Sequence, residues 1–253
     1  MLLVQFIVAL LVAGSVIWFL AAAWFPIIRE AIRRLPDTGL IENQRLQSPL
    51  TSTAPLVENR FLDFVVDVDG TGTPIRTSDL RVEFHRGNFA LCSILGCLKL
   101  DYPKNQTVQF NRPELESRWA AWELTFYSAA GIAIVLWLFA SWLSLATLYW
   151  PVVRIYAFFN DRRLTLVGSW KLASAALMPG ALLATAGIAL YGLGVIDLVR
   201  FLLLFALHLM MGWVYLFLSP LCLPRASDEP PAKTNPFGTP KPASTNPFSK
   251  EDQ

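Results

Sequence analysis

The chain alternates between long apolar stretches and polar connections, and four of the apolar stretches predict transmembrane helices. They cover residues 1–25, 124–150, 172–193 and 202–223, and none of them contains Asp, Glu, Lys or Arg. A helix of about 20 apolar residues crosses the roughly 30 Å hydrocarbon core of a bilayer. The predicted fold class is therefore an α-helical integral membrane protein with about four transmembrane helices.

The first stretch is predicted to remain as an uncleaved membrane anchor rather than to act as a signal peptide. A signal peptide has a basic start, an apolar part of about 7–15 residues and a cleavage site made of small residues. Here no Lys or Arg precedes Arg29, and the small residues 21–23 are followed by Trp24 and Phe25.

Between the first two spans the pattern changes to short segments, which predict a small β-rich extramembrane domain over residues 56–118. The predicted strands cover residues 61–68, 80–84, 88–91, 98–102 and 107–110. Each is bounded by Gly, Asp, Asn or Pro, as strands joined by turns usually are. Residues 26–55 are predicted to form a loose juxtamembrane lead-in. A domain of fewer than about 70–80 residues has a small core, so we expect this domain to be stabilised by contact with the membrane or with a second copy of the chain.

Two further polar segments follow, a basic loop at residues 151–171 and a tail at residues 224–253. Pro151 is expected to end or kink the second helix and to leave an interfacial segment behind it. The tail is rich in Pro, Ser and Lys, and this composition predicts disorder.

Positive charge predicts the orientation, because cytoplasmic loops of membrane proteins are rich in Lys and Arg. The basic loop carries Arg154, Arg162, Arg163 and Lys171 against Asp161. We therefore expect this loop and both termini in the cytoplasm, and residues 26–123 on the opposite side of a plasma or inner membrane. Arginines 29, 33 and 34 directly follow the first span and favour the reverse orientation, but long loops translocate largely regardless of their charge.

The overall composition agrees with a membrane protein and excludes other classes. Charged residues make up 16% of the chain, against about 25% in soluble proteins, and the mean hydropathy is +0.45. A formal net charge of +2 excludes a strongly basic nucleic-acid-binding protein. The predicted partners are the lipid bilayer and either a second copy or other membrane proteins, and no cofactor is predicted.

One motif in the β-rich region is similar to a catalytic sequence. An apolar strand runs into Asp67-x-Asp69-Gly-Thr, which resembles the first motif of haloacid-dehalogenase-type phosphohydrolases. That resemblance implies a nucleophile at Asp67 and a general acid/base at Asp69. Such enzymes need a doubly wound α/β core and further motifs, which the roughly fifty residues before the next span do not supply. We therefore interpret residues 67–72 as a polar hairpin turn and predict no enzymatic activity.

The cysteines suggest one cross-link. Cys92 and Cys97 flank residues 93–96, a length suited to a four-residue hairpin loop whose ends lie at disulfide distance. A disulfide is one interpretation, and two small buried side chains are the other. A zinc site is disfavoured, because His85 is the only other soft ligand nearby.

A ridge of small residues in the third span predicts close helix packing. Ala176, Gly180 and Ala184 recur every four residues, a spacing that allows two helices to approach closely in a membrane. This ridge predicts either a compact bundle or a dimer interface, and Pro179 predicts a kink near the start of the span.

The tail contains one short sequence motif twice, at Asn235, Pro236 and Phe237 and again at Asn246, Pro247 and Phe248. Asn-Pro-Phe resembles the peptide that EH domains bind in endocytic traffic, and two copies would add avidity. The alternative is a duplicated turn in a low-complexity tail.

The layout of the chain resembles uncharacterised bacterial multi-span membrane proteins of the Yip-like group. The similarity lies in the strand and turn at residues 64–72, the helix start at residues 111–115 and the start of the third span at residues 170–172 and 179–180. It implies an N-terminal span, an exposed β-rich domain and further Ala- and Gly-rich spans, but no known reaction.

Three functions follow as hypotheses. The first is a non-enzymatic membrane protein whose exposed domain binds or senses something and whose helices assemble with themselves or with other membrane proteins. The second is a transporter or channel subunit that uses His208 and the hydroxyls of Ser141, Ser144 and Thr147. The third is a trafficking adaptor that works through the tail motifs.

Overall fold

The computed structural model describes residues 1–50, 55–68 and 78–225. Most of these residues are helical, and four helical segments are long and apolar enough to cross a membrane. These spans are Leu2–Arg34, Arg112–Phe159, Leu166–Gly192 and Leu198–Leu221. A small β region follows the first span, so the coarse fold class predicted from the sequence is confirmed.

The described residues form six α-helices and eight β-strands. The helices are α1 Leu2–Phe19, α2 Phe25–Arg34, α3 Arg112–Phe159, α4 Leu166–Ala176, α5 Met178–Gly192 and α6 Leu198–Leu221, with a π-helical turn at Leu20–Trp24 between α1 and α2. The strands are β1 Leu40–Glu42, β2 Arg45–Gln47, β3 Pro55–Glu58, β4 Leu62–Val66, β5 Leu80–Phe84, β6 Asn88–Ser93, β7 Gly96–Asp101 and β8 Val108–Gln109.

The first span continues as a helix beyond the expected end at residue 25. Pro26 has no N–H for the carbonyl of Ala22, and its ring crowds the preceding turn. The π-helical turn at Leu20–Trp24 lies directly before this proline, and α2 then extends the helix to Arg34. Part of the segment expected to be a loose lead-in is therefore helical.

The second span is one helix of 48 residues that begins and ends beyond the predicted limits. It starts after Asn111, whose side chain accepts a hydrogen bond from the backbone N–H of Glu114 at 3.1 Å. Pro151 lies inside the helix and does not end it, because the following turns are held by packing. Val153 and Ala157 are fully buried, and Val153 packs with Leu216 of α6.

The third span is broken between α4 and α5 at Leu177, two residues before Pro179. This agrees with the kink expected from the proline. The span begins earlier than predicted because Thr165 caps α4, its hydroxyl accepting a hydrogen bond from Gly168 N at 3.0 Å. Asp197 caps α6 in the same way, through Arg200 N at 2.7 Å.

The β region consists of two small sheets with strand orders β2-β1-β8 and β3-β4-β5-β6-β7. Two of the strands, β1 and β2, lie in the expected lead-in, where three-residue strands give too short an alternation to be recognised. β4 and β5 are parallel, so these two strands do not form a hairpin with each other. Of the predicted polar hairpin turn, residues 69–72 lie outside the described residues.

The core of the β region lies between the two sheets, α2 and the start of α3. Its buried members are Leu35, Ile41, Leu46, Val66, Tyr102 and Phe110. The hydroxyl of Tyr102 donates to the carbonyl of His85 at 2.8 Å, and burial raises the pKa of this hydroxyl. We call this unit, β1 to β8 with the connections between them, the β domain.

The β domain follows the first span and the α5–α6 turn follows the third span, so both lie at the same end of the helical bundle. Arg60 of the β domain contacts that turn through Gly194. At the opposite end, the α3–α4 turn meets the chain after α6 in an isolated bridge between Arg162 and Arg225.

Candidate functional site

A cavity of about 420 Å³ lies where the β domain meets the spans, and we call it the junctional cavity. Ligand pockets usually measure about 300–1,000 Å³. The β domain contributes Phe61, Asp79, Leu80, Ser93, Ile94 and Leu95, the first span contributes Val16, Phe19 and Trp24, and the last two spans contribute Ile188, Tyr191, Leu198, Phe201 and Leu202. Its lining is therefore shared by two structural units and is mainly apolar.

Four aromatic rings pack together at the cavity. The ring of Phe61 lies 5.3 Å from that of Phe19 and 5.0 Å from that of Tyr191, both edge to face. Tyr191 also stacks on Phe201 at 5.0 Å. Aromatic pairs at these distances contribute about 0.5–1.5 kcal/mol each beyond simple burial. Phe61 thus joins the β domain to two helices, α1 and α5, and Tyr191 links this group to α6 through Phe201.

A local turn fixes the position of Phe61. The side-chain oxygen of Asn59 accepts hydrogen bonds from the backbone N–H groups of Phe61 and Leu62, both at 2.8 Å. The amide nitrogen of the same side chain donates to the carbonyl of Ala23 at 2.8 Å. Ala23 belongs to the π-helical turn, where α-helical hydrogen bonding is interrupted. The β domain is therefore attached to the first span at the Ala23 carbonyl, in the π-helical turn before Pro26.

Polar contacts attach the β domain to the last two spans as well. The guanidinium of Arg60 donates to the carbonyl of Gly194 at 2.7 Å and to that of Ile196 at 2.6 Å. The hydroxyl of Tyr191 donates to the carboxylate of Asp79 at 2.6 Å. Carbonyls after a helix end have no intrahelical donor, so Arg60 satisfies groups that the α5–α6 turn would otherwise leave to water.

Replacing Arg60 with Gln should loosen this attachment. The variant loses charged donors to two carbonyls, and such hydrogen bonds contribute about 1.5–3 kcal/mol each when well formed, less for an exposed side chain. We expect faster amide hydrogen exchange in residues 193–197 and around Phe61, measured by mass spectrometry. Arg118→Gln is the control, because Arg118 makes only an exposed pair with Glu114 on its own helix. Equal exchange in the two variants would contradict the role assigned to Arg60.

The rim of the cavity carries a tight hairpin tip. Ser93 pairs with Gly96, so the turn contains only Ile94 and Leu95, and not the four residues expected. Gly96 has φ +121°, a conformation that glycine adopts without strain. Cys92 and Cys97 are direct cross-strand partners with Cα atoms 4.0 Å apart, and their sulfurs are bonded in a disulfide. The disulfide therefore closes the strand pair immediately behind the tip.

The β domain has a buried ion pair away from the cavity. Nε of Arg81 lies 2.8 Å from Oδ2 of Asp63, and the two residues are register partners on the parallel strands β4 and β5. Burial raises the pKa of Asp63, and the hydrogen bond and charge of Arg81 lower it in part.

The phosphohydrolase-like sequence is only partly within the described residues. Asp67 is buried and its backbone N–H donates to Phe84 at 2.9 Å, whereas Asp69 lies outside the described residues. In the part of the chain that the structure describes, no three His, Cys, Asp or Glu side chains are grouped to hold a metal ion.

The small-residue ridge is used inside the chain. Ala176, Gly180 and Ala184 lie on α4 and α5, and a Cβ on Gly180 would come within 2.6 Å of the carbonyl oxygen of His208. Ala176 is 4% and Ala184 9% exposed. Gly180 therefore lies directly against the backbone of α6 within the chain.

The polar side chains proposed for transport bond mainly within their own helices, although Thr147 also accepts a hydrogen bond from the indole N–H of Trp170 on α4 at 3.3 Å. The hydroxyls of Ser141, Ser144 and Thr147 donate to carbonyls three or four residues earlier. His208 contacts the carbonyl of Phe205 through a ring nitrogen. The Asn-Pro-Phe motifs at residues 235–237 and 246–248 lie outside the described residues.

The residues that attach the β domain were not predicted from the sequence. Asn59, Arg60 and Asp79 are isolated polar residues at strand ends, and such residues are common in turns. The one available signal was Tyr191, a tyrosine close to a span end, where tyrosines tend to lie at the interface.

No protein-family model matches the chain, and no curated protein or solved structure is similar to it. The layout resemblance to the Yip-like group therefore stays a prediction.

Proposed function

We propose that this is a non-enzymatic integral membrane protein that binds a small apolar ligand in the junctional cavity. The observation that carries this proposal is the shared lining: Phe61 of the β domain packs against Phe19 and Tyr191 of two different spans. A ligand bound there contacts both units at once. Binding would therefore change how firmly the β domain is held on the bundle, as a sensing domain requires.

The proposed orientation keeps the β domain outside and both termini in the cytoplasm. The arginines after the first span favour the reverse orientation by their number. Arg29 makes two contacts with Glu123, one at 3.1 Å, and Nε of Arg33 lies 3.8 Å from Glu116. Because ion pairing does not change the count of Lys and Arg, the proposed orientation rests on the basic loop at residues 151–171 and on the length of the loop at residues 26–123.

Assembly with itself or with other membrane proteins is also part of the proposal. Because the small-residue ridge packs within the chain, such assembly would use other faces of the bundle. Several large apolar side chains of α3 are well exposed, among them Trp137 at 74%, and they are available to lipid or to a partner helix.

Photolabelling tests ligand binding in the cavity. The full chain in detergent is irradiated with an apolar aryl diazirine, and labelled residues are mapped by mass spectrometry. We expect labelling of Phe61, which belongs to the β domain and not to a span. Leu202→Trp should abolish it by filling the cavity, since a tryptophan is far larger than a leucine.

Leu203→Trp is the matched control, because Leu203 is 66% exposed on the same helix and does not line the cavity. Labelling of Phe61 should persist in this variant. Absence of label on Phe61 in the unmodified chain, or equal labelling in both variants, would contradict the proposal.

A further inference from the structure

We infer that the ligand of the junctional cavity is an acyl chain of a membrane lipid, which enters sideways from the bilayer beneath the Ile94–Leu95 tip. This inference rests on the proposed function and names its ligand class. Three features of the described residues support it: the chemistry of the lining, its position on the spans and the exposure of the hairpin tip.

The residues that line the cavity favour a ligand segment that is apolar and uncharged. Among the described residues that line the cavity, Asp79 is the only one with a charged side chain, and its carboxylate accepts a hydrogen bond from the hydroxyl of Tyr191 at 2.6 Å. These two groups bond to each other. The buried indole N–H of Trp24, which also lines the cavity, has no hydrogen-bond partner among the described residues, and a lipid ester carbonyl is an acceptor suited to it. An anionic group would be repelled by Asp79, so a lipid phosphate stays outside and hydrocarbon occupies most of the cavity.

The position of the cavity makes the bilayer its nearest source of ligand. Val16, Ile188 and Leu202 line it and belong to three different spans. On the same stretch of α6, Val199 is 55% and Leu203 66% exposed, and apolar side chains with this exposure on a span face lipid. The cavity wall is thus continuous with the lipid-facing surface of α6.

The hairpin tip is apolar where a turn is normally polar. Two-residue turns favour Asn, Asp and Gly, but here the turn residues are Ile94 and Leu95, which are 55% and 87% exposed. Both also line the cavity with Leu198 of the fourth span. An apolar turn at the end of a transmembrane helix fits the acyl boundary of a bilayer. The tip therefore lies over the path by which a chain enters, and the Cys92–Cys97 disulfide holds its shape.

Lipid retention tests the inference directly. The full chain is reconstituted in vesicles of palmitoyl-oleoyl phosphatidylcholine, extracted in detergent, washed and weighed by native mass spectrometry. We expect one phospholipid to remain bound per chain. In Leu202→Trp the retained fraction should fall about tenfold or more, because filling the cavity removes the contacts that hold the chain. Leu203→Trp should retain the lipid.

Ile188→Trp fills the same cavity from another helix and serves as a second variant in case Leu202→Trp does not fold. Replacing both Ile94 and Leu95 with Ser should also lower retention, without filling the cavity. Equal retention in the unmodified chain and in a folded filling variant would overturn the inference. If Phe61 is photolabelled but vesicle lipid neither remains bound nor competes, the inference fails and the proposed function stands. If Phe61 is not photolabelled, both the acyl-chain inference and the proposed function fail.

Discussion

Replacing Gly180 with Ala should destabilise the bundle, although alanine is the better helix former. The new Cβ would lie 2.6 Å from the backbone carbonyl oxygen of His208, and a backbone atom in a packed helix cannot move aside alone. Helices α5 and α6 must therefore separate. Overpacking of this kind costs about 1–3 kcal/mol, which exceeds the roughly 1 kcal/mol that alanine gains over glycine in a helix. Gly180→Leu should cost more.

The measurement is denaturant-induced unfolding of the full chain in detergent micelles. Gly14→Ala is the matched control, because Gly14 is also helical and a Cβ there meets no atom within 4 Å. That variant should be neutral or more stable by up to about 1 kcal/mol. If the ridge formed a dimer interface instead, Gly180→Ala would change the oligomeric mass and leave the stability of the monomer unchanged.

Replacing Arg81 with Met should have the largest effect within the β domain. The Asp63 side chain is 0% exposed and pairs with Arg81 at 2.8 Å. Removing one partner of a buried ion pair costs about 3–5 kcal/mol, since the other charge stays buried without compensation. We expect the β domain to unfold at lower denaturant concentration, detected by loss of near-ultraviolet circular dichroism and by proteolysis.

The same variant should become sensitive to pH. Burial already raises the pKa of Asp63 in the folded chain, and without Arg81 this pKa rises further. The unfolded chain then loses its proton at lower pH than the folded chain does, so the stability of the variant falls as the pH increases through the folded-state pKa. Acidification from neutral pH should therefore restore part of the lost stability.

The double variant Asp63→Leu, Arg81→Met is the control for this effect. It removes both charges, and replacing a buried ion pair by apolar residues is often neutral or stabilising. It should recover most of the stability and lose the additional pH dependence. An Arg81→Met chain as stable as the unmodified protein at neutral pH would show that the ion pair is not buried as described.

The spans were predictable because membrane crossing imposes length and apolarity on a continuous segment. The positions of breaks and irregular turns within the spans depended on packing, which the sequence does not show. Pro179 does coincide with a break, but Pro151 lies in an unbroken helix, because Val153 after it is buried in a cluster shared with α4 and α6. Near Pro26 the outcome is different again, because a π-helical turn precedes the proline and the helix continues. A proline in the sequence signals a lost hydrogen bond, and the neighbouring residues decide its effect.

In the β domain, the strands from β4 to β8 were predictable, whereas β1, β2, β3 and the pairing of the strands were not. The strand at residues 80–84 has the limits expected from its turn residues, and Cys92 and Cys97 are opposite each other as proposed. Parallel pairing of β4 and β5 has no local sequence signal, because it depends on where a connection crosses the sheet.

The candidate site could not be derived from sequence because its parts are far apart in the chain. Arg60 and the Gly194 carbonyl that it contacts are 134 residues apart, and Tyr191 and Asp79 are 112 apart. Each residue is ordinary in its own segment. Only the packing of the β domain on the spans makes them neighbours and creates a cavity between them.

The most direct test of the junctional cavity as an apolar binding site is to observe the ligand beside Phe61. The full chain, with only its phenylalanine rings protonated, is placed in lipid nanodiscs, and nuclear Overhauser contacts to lipid acyl chains are measured and assigned with Phe→Leu variants. The account predicts acyl contacts to the Phe61 ring that disappear in Leu202→Trp and persist in Leu203→Trp. Acyl contacts confined to phenylalanines on the outer faces of the spans, with none to Phe61, would contradict it.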